Sequence, residues 1–221
     1  MALRIVQSTE IVVLVGAGDL PSGLLPESLA LADTVVAADG GAAVILAEGR
    51  VPDAVIGDFD SLPAALRDDL PPERLIHIAE QDSSDFDKAL RTIRAPLVLV
   101  VGFTGGRLDH ELAVYNALIR HPDRPAIVMG SEDICFLLSA PLTLELPVGT
   151  RVSLFPMAEL TCEAEGLLWP TEGLTFSPWG RVGTSNQASA PRVALRPSGP
   201  GMLVILPRAV LPQAIVALTG P

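Results

Sequence analysis

The feature that most narrows the fold is the recurrence, over the first 130 residues, of short unbroken apolar runs separated by helix-compatible stretches. The runs are IVVLV (11–15), TVVAA (34–38), AVIG (54–57), RLIHI (74–78), LVLVV (97–101) and AIVM (126–129). They are rich in Val and Ile and mostly lack polar alternation, as strands covered on both faces require. Between them, 41–48, 63–70, 84–93 and 109–120 read as helices. The last carries a helical stripe at Leu112, Tyr115, Leu118 and Ile119. Strands alternating with helices predict an α/β domain, residues 1–130, with a mostly parallel sheet flanked by helices.

The rhythm changes after about residue 130. ICFLL, LTLEL, RVSLF, RVALR and MLVIL follow one another with Pro and Gly between them and no evident helix. Residues 131–221 are therefore expected to form an all-β sandwich domain. The apolar C-terminal stretch 201–218 is broken by Pro207, Arg208 and Pro212. It reads as buried strand and not as a membrane span, which needs about 20 uninterrupted apolar residues.

Composition limits the partners. The chain is 49% hydrophobic, enough for a core, and its formal net charge of −11 disfavours nucleic acid and anionic membrane surfaces. Nucleotides remain open if a divalent cation mediates. Cys135 and Cys162 have neither metal-ligand spacing nor a CxxC pairing and read as reduced, buried residues. The opening MALRIVQSTE has no apolar core or cleavage site, so no secretory signal is expected and the reading is cytoplasmic.

In open α/β sheets ligands bind beyond the carboxyl ends of the strands. Here those ends are acidic: Asp39 with Gly40 and Gly41, Asp58 and Asp60, then Gln81, Asp82 and Asp85, and finally Asp109. In extended backbone Asp58 and Asp60, two apart, project to one side. Carboxylates gathered this way repel unless a cation lies between them, and magnesium is the hard, oxygen-seeking candidate. Asp82 and Asp85, with Ser83 and Ser84, also suit a helix cap. The glycines of Asp39-Gly40-Gly41 and Thr104-Gly105-Gly106 let backbone amides approach phosphate, and Arg107 follows the second pair. Lys88, the only lysine, lies one turn past Asp85, placed either to pair with it or to meet a phosphate.

Other chemistries lack their signatures. There is no GxxxxGK[ST] and no Gly-x-Ser-x-Gly elbow. Gly16-Ala17-Gly18 follows the first strand, but Pro21 stands where a dinucleotide fingerprint needs its last glycine, so the segment reads as a turn. His77, His110 and His121 are too scattered for zinc.

ADGGAAVILAEGRVPDAVIGDFDSL (38–62), QDSSDFDKAL (81–90) and GFTGGRLDHELAVYNAL (102–118) together resemble the successive signatures of the thiamine pyrophosphokinase family, and GLLWP (166–170) and TSNQA (184–188) extend the likeness more loosely. Ser84 stands where the family usually has threonine, and the stretch after Asn186 departs from its pattern. The resemblance implies a homodimer using ATP, thiamine and Mg2+, with thiamine held at the subunit interface. It implies that Asp58, Asp60 and Asp85 hold magnesium and phosphates, and that Asp39, Arg107 and Asp109 line the diphosphate region with Gly40, Gly41, Lys88, Thr104, Gly105 and Gly106. Gln81 and Asp82, with Ser185 and Asn186 from the second domain, would face thiamine. Trp169 and Trp179 are candidates to stack on its ring, although Trp169 is expected to pack in the core. The rivals are a metal-dependent phosphohydrolase and a non-catalytic nucleotide or thiamine sensor.

Overall fold

The computed structural model describes residues 6–220. Residues 1–5, the start of the segment read for a signal, and residue 221 lie outside the described residues. The chain divides between Ser131 and Glu132 into two compact units.

The first unit runs β1 (Val6–Gln7), β2 (Val12–Val15), α1 (Leu24–Leu29), β3 (Thr34–Ala38), α2 (Gly41–Ala47), β4 (Ala54–Gly57), α3 (Ala64–Asp69), β5 (Leu75–His77), α4 (Asp85–Thr92), β6 (Ile93–Arg94), β7 (Val98–Val101), α5 (Leu108–Arg120) and β8 (Ala126–Met129). Six strands pair in the order β8-β7-β2-β3-β4-β5, every pair parallel. β1 and β6 form a separate parallel pair. Leu14, Val36, Ile56 and Val100 are fully buried in the sheet, each stabilising the fold by about 2 kcal/mol through apolar burial. From β2 the chain advances through β3 and β4 to β5, then returns to place β7 on the other side of β2. The crevice for a ligand lies at such a reversal.

α1 was not evident from the sequence, because LLPESL contains a proline. Pro26 falls in the first turn, where its missing N–H has no helical partner to lose. α2 begins unusually close to the sheet. A Cβ on Gly41 would lie 2.1 Å from the Val15 carbonyl oxygen. Gly41→Ala is therefore expected to displace the start of α2 and destabilise the chain by about 3 kcal/mol. An unchanged urea midpoint would show that the contact is not tight.

The second unit comprises β9 (Asp133–Leu138), β10 (Leu142–Glu145), β11 (Arg151–Pro156), β12 (Leu160–Glu165), β13 (Thr175–Phe176), β14 (Gly183–Gln187), β15 (Arg192–Pro197), β16 (Met202–Pro207) and α6 (Leu211–Thr219). Two antiparallel arrays form, β14-β11-β16-β9 and β10-β15-β12-β13. Phe176 of one lies against Gly183 of the other. Strand alternation is visible in β12, where Leu160 and Cys162 are buried and Thr161 and Glu163 exposed.

This unit is not all-β. The stretch 201–218 is a strand followed by a helix, α6, which lies against β10. Pro212 sits in the first turn of that helix and so starts an element where it was expected only to interrupt one. Among the described residues no helix is long and apolar enough to cross a membrane.

Candidate active site

The loops after β2, β3, β4, β5 and β7 enclose a cavity of about 550 Å³. Asp39, directly after β3, is only 2% exposed and adopts φ 41°, a left-handed conformation uncommon outside glycine. Its Oδ2 accepts the Ser61 N–H at 3.0 Å, while Oδ1 is buried without a hydrogen-bond partner among the described residues. Burial above all pushes this carboxyl up to about 6; the Ser61 amide opposes the shift, and Asp60 and Asp85 add to it.

Asp58 and Asp60 come together by a different route from the extended backbone expected. β4 ends at Gly57, and Phe59 turns back with φ 67°, its ring against His77 at 5.4 Å. The Asp60 N–H donates to Asp58 Oδ1 at 3.3 Å. This turn brings carboxylate oxygens of Asp39, Asp58 and Asp60 within 4.8 Å of one another. An all-oxygen donor set with one buried, unpartnered oxygen fits a hard divalent cation.

α4 supplies the next wall. Ser84 is its cap, accepting the Asp87 N–H at 3.3 Å, which leaves Asp85 free of capping duty. Lys88 is 2% exposed, and its Nζ donates to Asp58 Oδ2 at 3.1 Å and Asp85 Oδ1 at 3.2 Å. Asp85 therefore meets Lys88, and Asp39 takes the third place in the carboxylate cluster. Burial works to raise the Asp58 pKa, but hydrogen bonds from Lys88, the Asp60 amide and Gln81 outweigh it and hold the group below the usual carboxylate range. Burial likewise works to lower Lys88, and its bonds to Asp58 and Asp85 prevail and raise it. Gln81 Nε2 donates to Asp58 Oδ2 at 2.9 Å. Asp82 is exposed and is not part of the cavity wall.

The glycine loops close the cavity. Gly18 N–H donates to the Gly102 carbonyl at 2.7 Å, joining the loops after β2 and β7. Gly40, Gly105, Gly106 and Arg107 face the cavity; Gly41, Thr104 and Asp109 do not. Arg107 grips Asp109 through Nε at 3.2 Å and Nη2 at 2.6 Å, an exposed pair in which the hydrogen bond from Arg107 pulls Asp109 down to about 2. Sequence reasoning missed Gly16, Ala17, Gly18, Asp19, Ser61, Phe103 and His110 as wall residues. The Gly-x-Gly directly after the first strand was the available signal, since that strand borders the reversal of order.

In the second unit Ser185 has φ 62° and donates its N–H to Ser153 Oγ at 3.0 Å. Asn186 is buried; it accepts the Trp169 N–H at 3.1 Å and donates to the Trp169 carbonyl at 2.8 Å. Trp169 is 56% exposed and Trp179 77% exposed, so Trp169 is not a core residue as expected. The braced backbone of Trp169 presents its indole outward.

Residues 25–129 match the family model described as thiamin pyrophosphokinase, catalytic domain. Over this stretch the chain is similar to the catalytic domain of the thiamine pyrophosphokinase family. A thiamine pyrophosphokinase of Bacillus subtilis is 31% identical over 109 residues, 45% of this chain and 51% of that protein. Thiamine pyrophosphokinase 1 of Oryza sativa subsp. japonica is 28% identical over 154 residues, 61% of this chain and 58% of that one. The chain thus spans less than two thirds of the length of such plant relatives. Among solved structures, thiamin pyrophosphokinase from Candida albicans aligns over 92% of both chains with a TM-score of 0.75 and 17% identity, which shows the shared fold.

The family's catalytic-domain match spans β3 through β8 and so contains the acids, Lys88 and the Gly105-Gly106-Arg107 loop. It begins after Gly16–Gly18, wall residues whose sequence suggests no more than a turn.

Proposed function

We propose that the chain is a magnesium-dependent thiamine pyrophosphokinase, transferring diphosphate from ATP to the hydroxyl of thiamine to give thiamine diphosphate and AMP. The observation that carries this reading is the carboxylate cluster of Asp39, Asp58 and Asp60 in one cavity with buried Lys88 and the Gly105–Arg107 loop. Asp58 and Asp60, with Asp39 and Asp85 beside them, would hold the cation. Bound there, magnesium supplies positive charge to the polyphosphate.

The protein's own groups do the rest. Gly40, Gly105 and Gly106 leave room for the phosphates, and Arg107 and Lys88 offset their charge. Asp58 and Asp85 fix the Lys88 ammonium at a set place, so little reorganisation is needed as charge develops. The thiamine hydroxyl oxygen attacks the β-phosphorus, the bridging oxygen leaves with AMP, and Asp85, which keeps one side open to solvent, accepts the hydroxyl proton. Gly41, Thr104 and Asp109 act from behind the wall, through the start of α2 and through Arg107. Gln81 and Asp82 belong to the thiamine side.

The finer reading is a cytoplasmic homodimer with its thiamine site at the subunit interface, using Ser185, Asn186 and the exposed indoles. The two cysteines, free and buried, accord with a reducing compartment.

Purified protein given ATP, magnesium and thiamine is expected to produce AMP and thiamine diphosphate in equal amounts. Phosphate or pyrophosphate release without thiamine would favour a hydrolase, and binding without turnover a sensor. Absence of both AMP and thiamine diphosphate overturns the assignment.

A further inference from the structure

Glu111 lies outside the cavity wall, yet it makes a bond that the glycine loop gets from no other side chain among the described residues. Its Oε2 accepts the Gly105 N–H at 3.0 Å, and its Oε1 accepts the Tyr115 hydroxyl at 3.0 Å. Glu111 and Tyr115 are four apart on α5, so they share a face and the bond between them is local to the helix. The loop they reach needs holding. Gly105 and Gly106 have φ of 74° and 65°, and glycine gives the backbone more freedom to lose than any other residue. Gly105, Gly106 and Arg107 all line the cavity, and the amide of Gly105 points to Glu111 instead of into it.

We infer that Glu111, steadied by Tyr115, is a positioning residue: it fastens the Gly105 amide to α5 and so sets where Gly106 and Arg107 meet the polyphosphate of a nucleotide. The inference rests on the proposed nucleotide site. Glu111 acts as an acceptor here and not through its charge, because a carboxylate near a polyphosphate repels it. The amide of glutamine also offers an acceptor oxygen, without the charge.

The two effects carry opposite signs and separate cleanly. Titration calorimetry with ATP and magnesium, without thiamine, measures the affinity. Glu111→Ala is expected to bind about tenfold more weakly, through loss of the side-chain acceptor that holds the Gly105 amide. Glu111→Gln is expected to match or exceed the parent. Tyr115→Phe, which keeps the ring, is expected to lose about threefold. Thiamine KM should stay within about twofold in each, as the tether does not reach that side. Glu111→Ala binding as tightly as the parent overturns the inference, as does Glu111→Gln falling as far as Glu111→Ala. A parent protein that binds no ATP overturns the nucleotide site itself, and this inference with it. Should Glu111→Ala fail to fold, the Gln and Phe variants decide the matter: affinity lost about tenfold in Glu111→Gln overturns the tether, and affinity kept there but reduced in Tyr115→Phe supports it.

Discussion

Asp60→Asn is expected to remain folded and to lose at least about a hundredfold in turnover, the scale seen when one charge-stabilising group is removed from an active site. Asp60 is exposed, and its side chain accepts the Ser61 hydroxyl at 3.0 Å. An amide of the same shape keeps that bond, so stability should change by no more than about 0.5 kcal/mol. What the amide lacks is the negative charge offered to the proposed cation beside Asp39 and Asp58. The companion Asp58→Asn should lose activity similarly but also stability. Asp58 Oδ2 accepts from both Gln81 and Lys88, and an amide nitrogen there would face two donors. The checks are AMP production at saturating ATP and thiamine, a thermal melt, and magnesium titration followed by calorimetry. Turnover equal to the parent in both variants removes these residues from the cation site.

Lys88→Met is the second large effect, and it falls on the fold as well as the reaction. The methionine fills most of the volume but leaves Asp58 and Asp85 facing one another without the ammonium between them. Removing one partner of a buried ion pair costs about 3–5 kcal/mol. Asp85 is 35% exposed, so water relieves part of this and a loss of about 2–3 kcal/mol is expected. Urea unfolding measures it. The deficit should shrink in millimolar magnesium, because an ion that binds only the folded state restores stability by mass action. Equal midpoints for parent and variant without magnesium would mean that Lys88 does not balance these carboxylates.

The parallel sheet was legible because its strands are buried on both faces, and such strands must be unbroken apolar runs. LVLVV contains β7 and AIVM is β8. α1 and α6 were not legible, and for a common reason. Each carries a proline, Pro26 and Pro212, in its first turn, the one part of a helix that tolerates it. The acids Asp39, Asp58, Asp60 and Asp85 could be picked out because they directly follow strand ends or open a helix. Their gathering at one edge follows from the strand-end rule, but which three lie closest could not be read, since that depends on two left-handed residues, Asp39 and Phe59, that propensity disfavours. The exposure of Trp169 was misjudged because an aromatic residue gives no sign in sequence of which way its braced backbone will face.

One neighbour of Asp39 bears on how this chain can vary. A Cβ on Gly57, at the end of β4, would approach the Asp39 Cβ to 3.0 Å. The acid is seated in a gap left by the adjoining strand. A side chain at position 57 would press on Asp39 and require it to give by a few tenths of an ångström, even though residue 57 is itself uncharged and carries no reactive atom. The two positions are therefore coupled, and the left-handed pose of the acid is easiest to keep where the strand beside it stays bare.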